Sequence, residues 1–183
     1  MVFIYIFLVA ISMLFFLAFV LFIIFQIIAE FTTDAPFVTI PSHMNNVLTT
    51  TFGLTSNSVL YDLGCGDARV LIQAVTRHHN IKAIGVERSM FPFLLAKFKT
   101  RIYKNITIRR EDVFTTNISN ATHIFVYLYP AVINALLPKF HAECKKGTVI
   151  ISCDFEFANM LPDNTIIVNT ESKRGKKILL YVI

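Results

Sequence analysis

The chain has 183 residues, of which 55% are hydrophobic, and a formal net charge of +5. This length suits one domain with a full core, but the hydrophobic content exceeds that of an ordinary soluble domain, so an apolar segment must be concentrated somewhere. Its cysteines, Cys65, Cys144 and Cys153, form no Cys-x-x-Cys pair, which argues against a disulfide framework and against a metal site. The modest charge gives no reason to expect a nucleic-acid partner.

Residues 1–29 contain no charged side chain and consist mainly of Phe, Ile, Leu and Val. About 20 apolar residues cross a bilayer as a helix, and this run is longer. A cleaved signal peptide is the alternative, but such a peptide has a basic start and an apolar core of about 7–15 residues. This segment has no basic start and a longer core, so we predict a transmembrane anchor over residues 1–29.

The segment EFTTDAPFVTIP, residues 30–41, is rich in Pro and Thr, which predicts an extended linker. Within residues 42–183, five apolar runs typical of buried strands alternate with helical patterns, and two further strand patterns flank a polar turn at Gly175. Strands that alternate with helices form a mostly parallel sheet with helices on both faces. We therefore predict an α/β domain with a doubly wound, seven-stranded sheet and an antiparallel hairpin at one edge.

The first predicted strand runs into the sequence DLGCGD, in which Gly64 and Gly66 flank Cys65. Dinucleotide-binding turns read G-x-G-x-x-G, but Arg69 stands where the third glycine would be. Asp62 and Asp67 also place negative charge around this turn, which disfavours a bound pyrophosphate. Both features suit a phosphate-free ligand that carries an ammonium and a sulfonium group. The turn therefore predicts a site for S-adenosylmethionine.

Further carboxylates follow the next two predicted strands, and each fits one part of that ligand. Asp62 would hold the amino-acid end, and Glu87, a little over 20 residues after the turn, would accept hydrogen bonds from the ribose hydroxyls. Asp112 would accept a hydrogen bond from the adenine amine, with Val113 or Phe114 packed on the ring. Two alternatives remain open: these carboxylates cap the following turns, or Glu87 binds the ribose of a nicotinamide dinucleotide.

The sequences DLGCGDAR, GVE and EDVF resemble the motifs of class I S-adenosylmethionine-dependent methyltransferases, which have a Rossmann-like fold. Together with the apolar N-terminus, PFVTIP, GVERS and YLYP, they also resemble the membrane-anchored protein lysine N-methyltransferases, the family of the ATP synthase c-subunit lysine methyltransferase. The resemblance implies that Phe37, Val38 and Thr39 help to close over the cofactor. It also implies a protein lysine as the acceptor. The family has glycine at the position of Ala68.

Three residues are candidates for the acceptor side of the site. Tyr127 and Tyr129 follow the fourth predicted strand, where strand alternation would put both on one face as an aromatic wall that hydrogen-bonds an amine. Asp154, at the end of the fifth predicted strand, is a candidate proton acceptor or amine anchor, because an attacking lysine must be neutral. Core packing of the tyrosines and a surface position for Asp154 are the alternatives.

The predicted linker is short, so the domain must stay close to the bilayer, and this favours a membrane-associated protein as the acceptor. S-adenosylmethionine is an intracellular metabolite, which predicts that the catalytic domain faces the cytoplasm. A lipid, quinone or other small lipophilic acceptor is the first alternative. A membrane-tethered protein that binds the cofactor without catalysis is the second.

Overall fold

The computed structural model of the chain describes residues 2–31 and 40–183, and the chain divides into two units, Met1–Pro36 and Phe37–Ile183. In the first unit, helix α1 spans Val2–Phe31, and its part Val2–Gln26 is long and apolar enough to cross a membrane. A signal sequence near an N-terminus shares both properties. The helix continues two residues beyond the predicted end of the anchor, and most of the predicted linker lies outside the described residues.

Strands and helices alternate through the second unit, as the sequence pattern predicts. The helices are α2 (Ser42–Thr51), α3 (Arg69–Arg77), α4 (Met90–Thr100) and α5 (Pro130–Glu143), and the strands are β1 (Val59–Leu63), β2 (Lys82–Val86), β3 (Ile106–Arg109), β4 (His123–Val126), β5 (Val149–Cys153), β6 (Asn164–Ile167) and β7 (Lys177–Val182).

The strands form one sheet in the order β3-β2-β1-β4-β5-β7-β6. Strands β1 to β5 pair in parallel, whereas β7 is antiparallel to both β5 and β6. The chain reverses its direction along the sheet between β3 and β4, and β1 and β4 lie side by side at this switch point. Open α/β sheets bind their ligands there, beyond the carboxyl ends of the strands. The predicted fold is confirmed, including the hairpin at one edge.

The sheet separates two apolar cores, because alternate residues of a buried strand face opposite sides. Helices α2, α3 and α4 supply one core, where Met44, Leu71 and Ala96 are fully buried against β-strand residues such as Leu60. Helix α5 supplies the other, which contains the fully buried Phe140. With both faces covered, the carboxyl edge of the sheet remains as the surface where a ligand can reach the strand ends.

Strand register brings the loops of the predicted site to this edge. Leu63 at the end of β1 pairs with Val86 on one side and with Val126 on the other. Val86 in turn pairs with Arg109, and Val126 with Ser152. The loops that follow β1 to β5 therefore leave the sheet at one common edge, and each carries at least one predicted site residue.

Candidate functional site

The glycine turn after β1 has an unusual backbone that is tied to the neighbouring strand. Gly64 and Gly66 have φ angles of +81° and +55°, in the left-handed region that side chains other than glycine rarely adopt. The backbone N–H groups of Gly64 and Cys65 donate to the carbonyl oxygen of Val86 over 2.8 and 3.0 Å. A Cβ atom on Gly64 would lie 2.6 Å from a methyl carbon of Leu128. The conformation therefore favours glycine at this position, and any larger residue would also displace the side chain of Leu128.

Ala68 continues this turn in the same backbone region. Its φ is 62° and its ψ is 21°, and it is the fully buried residue that precedes the first turn of α3. The left-handed conformation costs an L-residue about 1–2 kcal/mol. This explains why a glycine at this position, as in the family that the sequence resembles, is the less strained choice.

Glu87, directly after β2, holds the turn from the other side. One carboxylate oxygen, Oε2, accepts a hydrogen bond from the backbone N–H of Gly66 at 3.0 Å, and Oε1 accepts one from the N–H of Ser89 at 2.8 Å. An ionised carboxyl group offers about four lone-pair positions, so about two remain for further donors. The geometry is compatible with the predicted hydrogen bonds from two ribose hydroxyls, and this role stays a prediction.

Asp62 is a buried carboxyl group at the end of β1. It is 3% exposed, and none of the described residues forms a hydrogen bond or ion pair with its side chain. Burial raises its pKa to about 8, with further increases from the neighbouring Glu87 and Asp67. A buried polar group without a partner is costly, and a cationic ligand group beside it would remove that cost. This observation fits the ammonium end of S-adenosylmethionine.

Asp67, in contrast, is already neutralised by two cations. Its Oδ1 lies 2.9 Å from Nε of Arg69, and its Oδ2 accepts from Nη2 of Arg69 at 3.0 Å and from Nζ of Lys99 at 2.6 Å. Burial by itself would raise its pKa, but the hydrogen bonds and charges of Arg69 and Lys99 outweigh burial and lower the pKa to about 2. Both oxygens of Asp67 are hydrogen-bonded, so this carboxylate holds Arg69 and Lys99 beside the turn. Its predicted contact with the cofactor stays a prediction.

Asp112 and Val113 lie in the loop after β3. The Oδ1 atom of Asp112 accepts from the backbone N–H of Phe114 at 2.9 Å, and its Oδ2 lies 3.5 Å from Nη1 of Arg88. Val113 is half-buried and packs against the core on the α5 side of the sheet. Neither residue is among those that line the pocket at the glycine turn. Their predicted contacts with the adenine remain untested.

A pocket opens at the glycine turn, between the end of β1 and the start of α3. The predicted residues that line it are Asp62, Gly64, Cys65, Gly66, Asp67 and Tyr127, and those not predicted are Ile40, Arg69, Val70 and Phe125. Ile40 lies within PFVTIP, the segment that the resemblance assigns to covering the cofactor, so this segment was the sequence signal for it. The predicted contacts Phe37 and Thr39, and Val38 between them, lie outside the described residues.

The two candidate tyrosines differ in position. Strand β4 ends at Val126, so Tyr127 and Tyr129 lie in the loop before α5, where strand alternation does not apply. Tyr127 lines the pocket and stacks on Phe155 with ring centroids 6.1 Å apart. Burial, with smaller effects of Cys153 and Asp154, raises its pKa to about 12. Tyr129 is 39% exposed and does not line the pocket, so the structure does not join the two rings into one wall.

The carboxylate of Asp154 is occupied by backbone donors. It accepts hydrogen bonds from the N–H groups of Gly175 and Lys176, both at 2.6 Å, and of Lys177 at 3.3 Å. Its own φ is 65°, in the left-handed region. These contacts fix the turn that enters β7. They leave this carboxylate poorly placed for the proton acceptor role, which stays a prediction.

The electrostatics of the pocket agree with the ligand class that the sequence predicts. Three carboxyl groups surround the turn, and Arg69 is the basic residue among those that line the pocket, where it is paired with Asp67. A bound pyrophosphate would therefore meet negative charge with no free cation among the described lining residues. A ligand with a positive end and no phosphate would instead find an unpartnered carboxyl group at Asp62.

Comparisons with known proteins give the same family and cofactor. Residues 62–164 match the family described as the ANTKMT methyltransferase domain. A protein-lysine N-methyltransferase of Saccharolobus islandicus is 29% identical over 157 residues, which are 84% of this chain and 97% of the relative. The ATP synthase c-subunit lysine N-methyltransferase of Xenopus laevis is 22% identical over 109 residues, so that 58% of this chain matches 47% of the relative.

Solved structures contain the same fold. An RNA methyltransferase of Salinibacter ruber in complex with S-adenosyl-L-homocysteine is 28% identical, and the alignment covers 80% of this chain and 94% of that one with a TM-score of 0.73. This ligand is what remains of S-adenosylmethionine after methyl transfer. The cofactor predicted from the glycine turn is confirmed.

Proposed function

Since this chain belongs to the family of the ANTKMT methyltransferase domain, it is an S-adenosylmethionine-dependent methyltransferase, and we propose that its acceptor is a lysine of a membrane-associated protein. The observation that carries the proposal is the likeness to two lysine N-methyltransferases, one of which this chain matches over almost the whole length of the relative. The chain spans about half the length of the other, so its particular substrate is not transferred.

The membrane part of the proposal rests on α1. Its 25-residue apolar part has a mean hydropathy of 3.1, which is sufficient for a bilayer span. We propose residues 1–29 as the anchor, residues 30–41 as a linker that also covers the cofactor, and residues 42–183 as the catalytic domain. The domain would face the cytoplasm, where the cofactor is made. An anchor of this kind raises the local concentration of acceptors in the same membrane.

The cofactor supplies a methyl group on a positively charged sulfur, and the residues of the pocket position the two reactants. Asp62 would pair with the cationic end of the cofactor, and Glu87 would hold the ribose. Tyr127 has a pKa of about 12, so its phenol is uncharged at neutral pH. Its oxygen would accept a hydrogen bond from an N–H of the neutral amine, which leaves the nitrogen lone pair free to attack the methyl group. Because Asp154 is engaged by backbone donors, water would take the proton that the lysine must lose before its nitrogen attacks.

The proposal is tested by incubating the full chain in lipid vesicles with methyl-labelled S-adenosylmethionine and membranes from cells that lack this protein. Label that stays with protein and maps to lysine by mass spectrometry supports the proposal. Label in the organic extract would identify a lipid or quinone acceptor, and ribonuclease-sensitive label would identify RNA. Cofactor binding without transfer to any fraction would indicate a protein that binds the cofactor without catalysis.

A matched pair of variants makes the signal specific to the site. Gly64→Ala combines a left-handed backbone with a Cβ atom 2.6 Å from Leu128, whereas Gly147→Ala has a similar backbone penalty with nothing within 4 Å. Label should disappear in the first variant and persist in the second. Equal labelling by both variants would show that the glycine turn is not needed for methyl transfer.

A further inference from the structure

Helix α4 has an apolar face that residues 40–183 do not cover. Its buried face contains Pro92, Ala96 and Thr100, which pack toward the sheet. Besides Met90 at the start of the helix (41%), four large apolar side chains are exposed along the helix and the turn that follows it: Phe91 (71%), Leu94 (55%), Phe98 (62%) and Ile102 (73%). We call these four residues the α4 face. Isolated exposed apolar residues are ordinary, but a contiguous set marks an interaction surface.

The spacing shows that the α4 face is one surface. Its members follow each other at intervals of three, four and four residues, which is the repeat of one side of a helix. At about 100° per residue, their mean direction is roughly opposite to that of Pro92, Ala96 and Thr100. The α4 face therefore points away from the sheet, and the sheet does not cover it.

Basic residues border the α4 face. Lys97, Arg101 and Lys104 are exposed, and helix α4 contains no acidic residue. The guanidinium carbon of Arg101 lies 4.0 Å from the ring centroid of Phe98, so charge and apolar surface are in direct contact. Among the residues that the structure describes, Lys97 and Lys104 have no ion-pair partner. The surface combines apolar side chains with uncompensated positive charge.

We propose that the α4 face binds the interface of a bilayer that contains anionic lipids. An apolar stripe with basic residues beside it is the pattern of helices that lie in the plane of a membrane, where acyl chains accept the apolar side chains and headgroups accept the charge. A second copy of this chain fits less well. In a twofold interface it would bring the same basic rim against itself, which is repulsive.

The α4 face is also linked to the cofactor pocket. Lys99 lies on the same helix, and its Nζ atom donates to Asp67 at 2.6 Å. A domain that rests on the membrane through α4 would hold the pocket close to the lipid surface. This lipid contact is separate from the anchor, and it does not depend on which acceptor the enzyme uses.

The test uses the absence of tryptophan from the chain, so that a single introduced tryptophan is the only fluorophore of its kind. Phe98→Trp and the control Leu161→Trp are made in the full chain and reconstituted in vesicles with anionic lipids brominated along their acyl chains. Leu161 is 89% exposed and precedes β6, which lies at the end of the sheet opposite to β3. Both variants keep α1, so insertion of the anchor is the same in both.

Bromine on the lipid chains should quench the emission of Phe98→Trp and leave that of Leu161→Trp unchanged. Adding Lys97→Gln or Arg101→Gln to Phe98→Trp should lower the ratio of lipid-bound to free α4 roughly fivefold each, because a basic residue near an anionic surface contributes about 1 kcal/mol. Replacing anionic by zwitterionic lipid should have the same direction of effect.

Equal quenching of the two tryptophan variants would overturn the proposal, and so would no quenching of Phe98→Trp. If Phe98→Trp is instead protected from acrylamide but not quenched by brominated lipid, a protein covers the α4 face. That protein is either a second copy of this chain or a co-purified partner, and diluting the protein in lipid distinguishes them. Protection that is lost on dilution identifies a second copy, and protection that persists identifies a co-purified partner.

Discussion

The buried carboxyl group of Asp62 should release a proton when the cofactor binds. Burial, with the nearby carboxylates of Glu87 and Asp67, raises its pKa to about 8, so it is protonated in the free protein at pH 6.5. A cationic ammonium group placed beside it favours the ionised form and lowers its pKa. Below pH 8, binding of S-adenosylhomocysteine and loss of this proton are therefore linked, and the apparent affinity rises with pH.

The size of the effect follows from the pKa. At pH 6.5, a pKa of about 8 gives roughly thirty protonated molecules for each ionised one. An opposite charge at about 4–6 Å lowers a carboxyl pKa by about 1–3 units, and a fall of two to three units releases roughly 0.7 to 0.9 proton for each ligand bound. The ammonium group of the ligand has a pKa near that of an α-amino group, about 8, so it stays charged at this pH.

Isothermal titration of the full chain at pH 6.5, in buffers of different ionisation enthalpy, measures this proton directly. The slope of the observed enthalpy against the buffer enthalpy gives the number of protons released. Other groups at the pocket do not titrate in this range: Asp67 has a pKa of about 2, that of Tyr127 is about 12, and burial raises that of Cys65 well above its usual value.

Two variants identify the source of the proton. Asp62→Asn removes the titrating group and should bring proton release close to zero, whereas Asp163→Asn makes the same chemical change in the loop before β6 and should leave it unchanged. If the wild-type protein releases no proton, Asp62 is not the neutral partner of a cationic ligand group. Unchanged release in Asp62→Asn would refute the assignment as well.

Three further changes test the supports of the site, each in the full chain in detergent. Asp67→Asn should lower the free energy of unfolding by about 2 kcal/mol, seen as a lower thermal midpoint, because folding lowers the pKa of this aspartate from 3.8 to about 2. The difference in stability between the wild-type protein and the variant should vanish as the pH falls from 4 to 2. Gly85→Ala should lower the free energy of unfolding by about 1–3 kcal/mol, since the added Cβ would lie 2.7 Å from the sulfur of Cys65. It should also weaken the binding of S-adenosylhomocysteine, and normal binding would contradict this reasoning. Tyr127→Phe should lower kcat/KM roughly tenfold, a loss of about 1.4 kcal/mol of transition-state stabilisation, without changing cofactor affinity. An unchanged kcat/KM would show that the tyrosine hydroxyl takes no part in catalysis.

The sequence predicted the sheet and its ligand-binding edge well, because both depend on local patterns. Apolar runs that alternate with helices lead to parallel pairing, and register then brings the loops at Gly64 and Glu87 to one edge. The ligand class followed from the acidic residues Asp62 and Asp67 at the turn and from Arg69 in place of a third glycine. These features need no knowledge of which distant side chains meet.

The features that the sequence could not predict depend on contacts that residue spacing does not contain. The ion pair of Asp67 with Lys99 joins residues on different elements, 32 positions apart. The shared face of the two tyrosines was wrong because Pro130 begins α5, and Tyr129 before it takes the extended conformation that a following proline favours. The role of Asp154 depends on three backbone N–H groups beyond β6, which no local pattern indicates.

Cys65 packs tightly against Gly85, so the reactivity of its thiol reports on the opening of the glycine turn. Its thiol is buried, whereas Cys144 is partly exposed, so a thiol reagent should label Cys144 first. Cys65 lines the pocket but is only 6% exposed, so a reagent should reach its sulfur only when the turn opens further. The rate at which Cys65 is labelled therefore measures how often the glycine turn opens in the cofactor-free enzyme. The decrease of this rate when a ligand is added measures how strongly the ligand stabilises the closed turn.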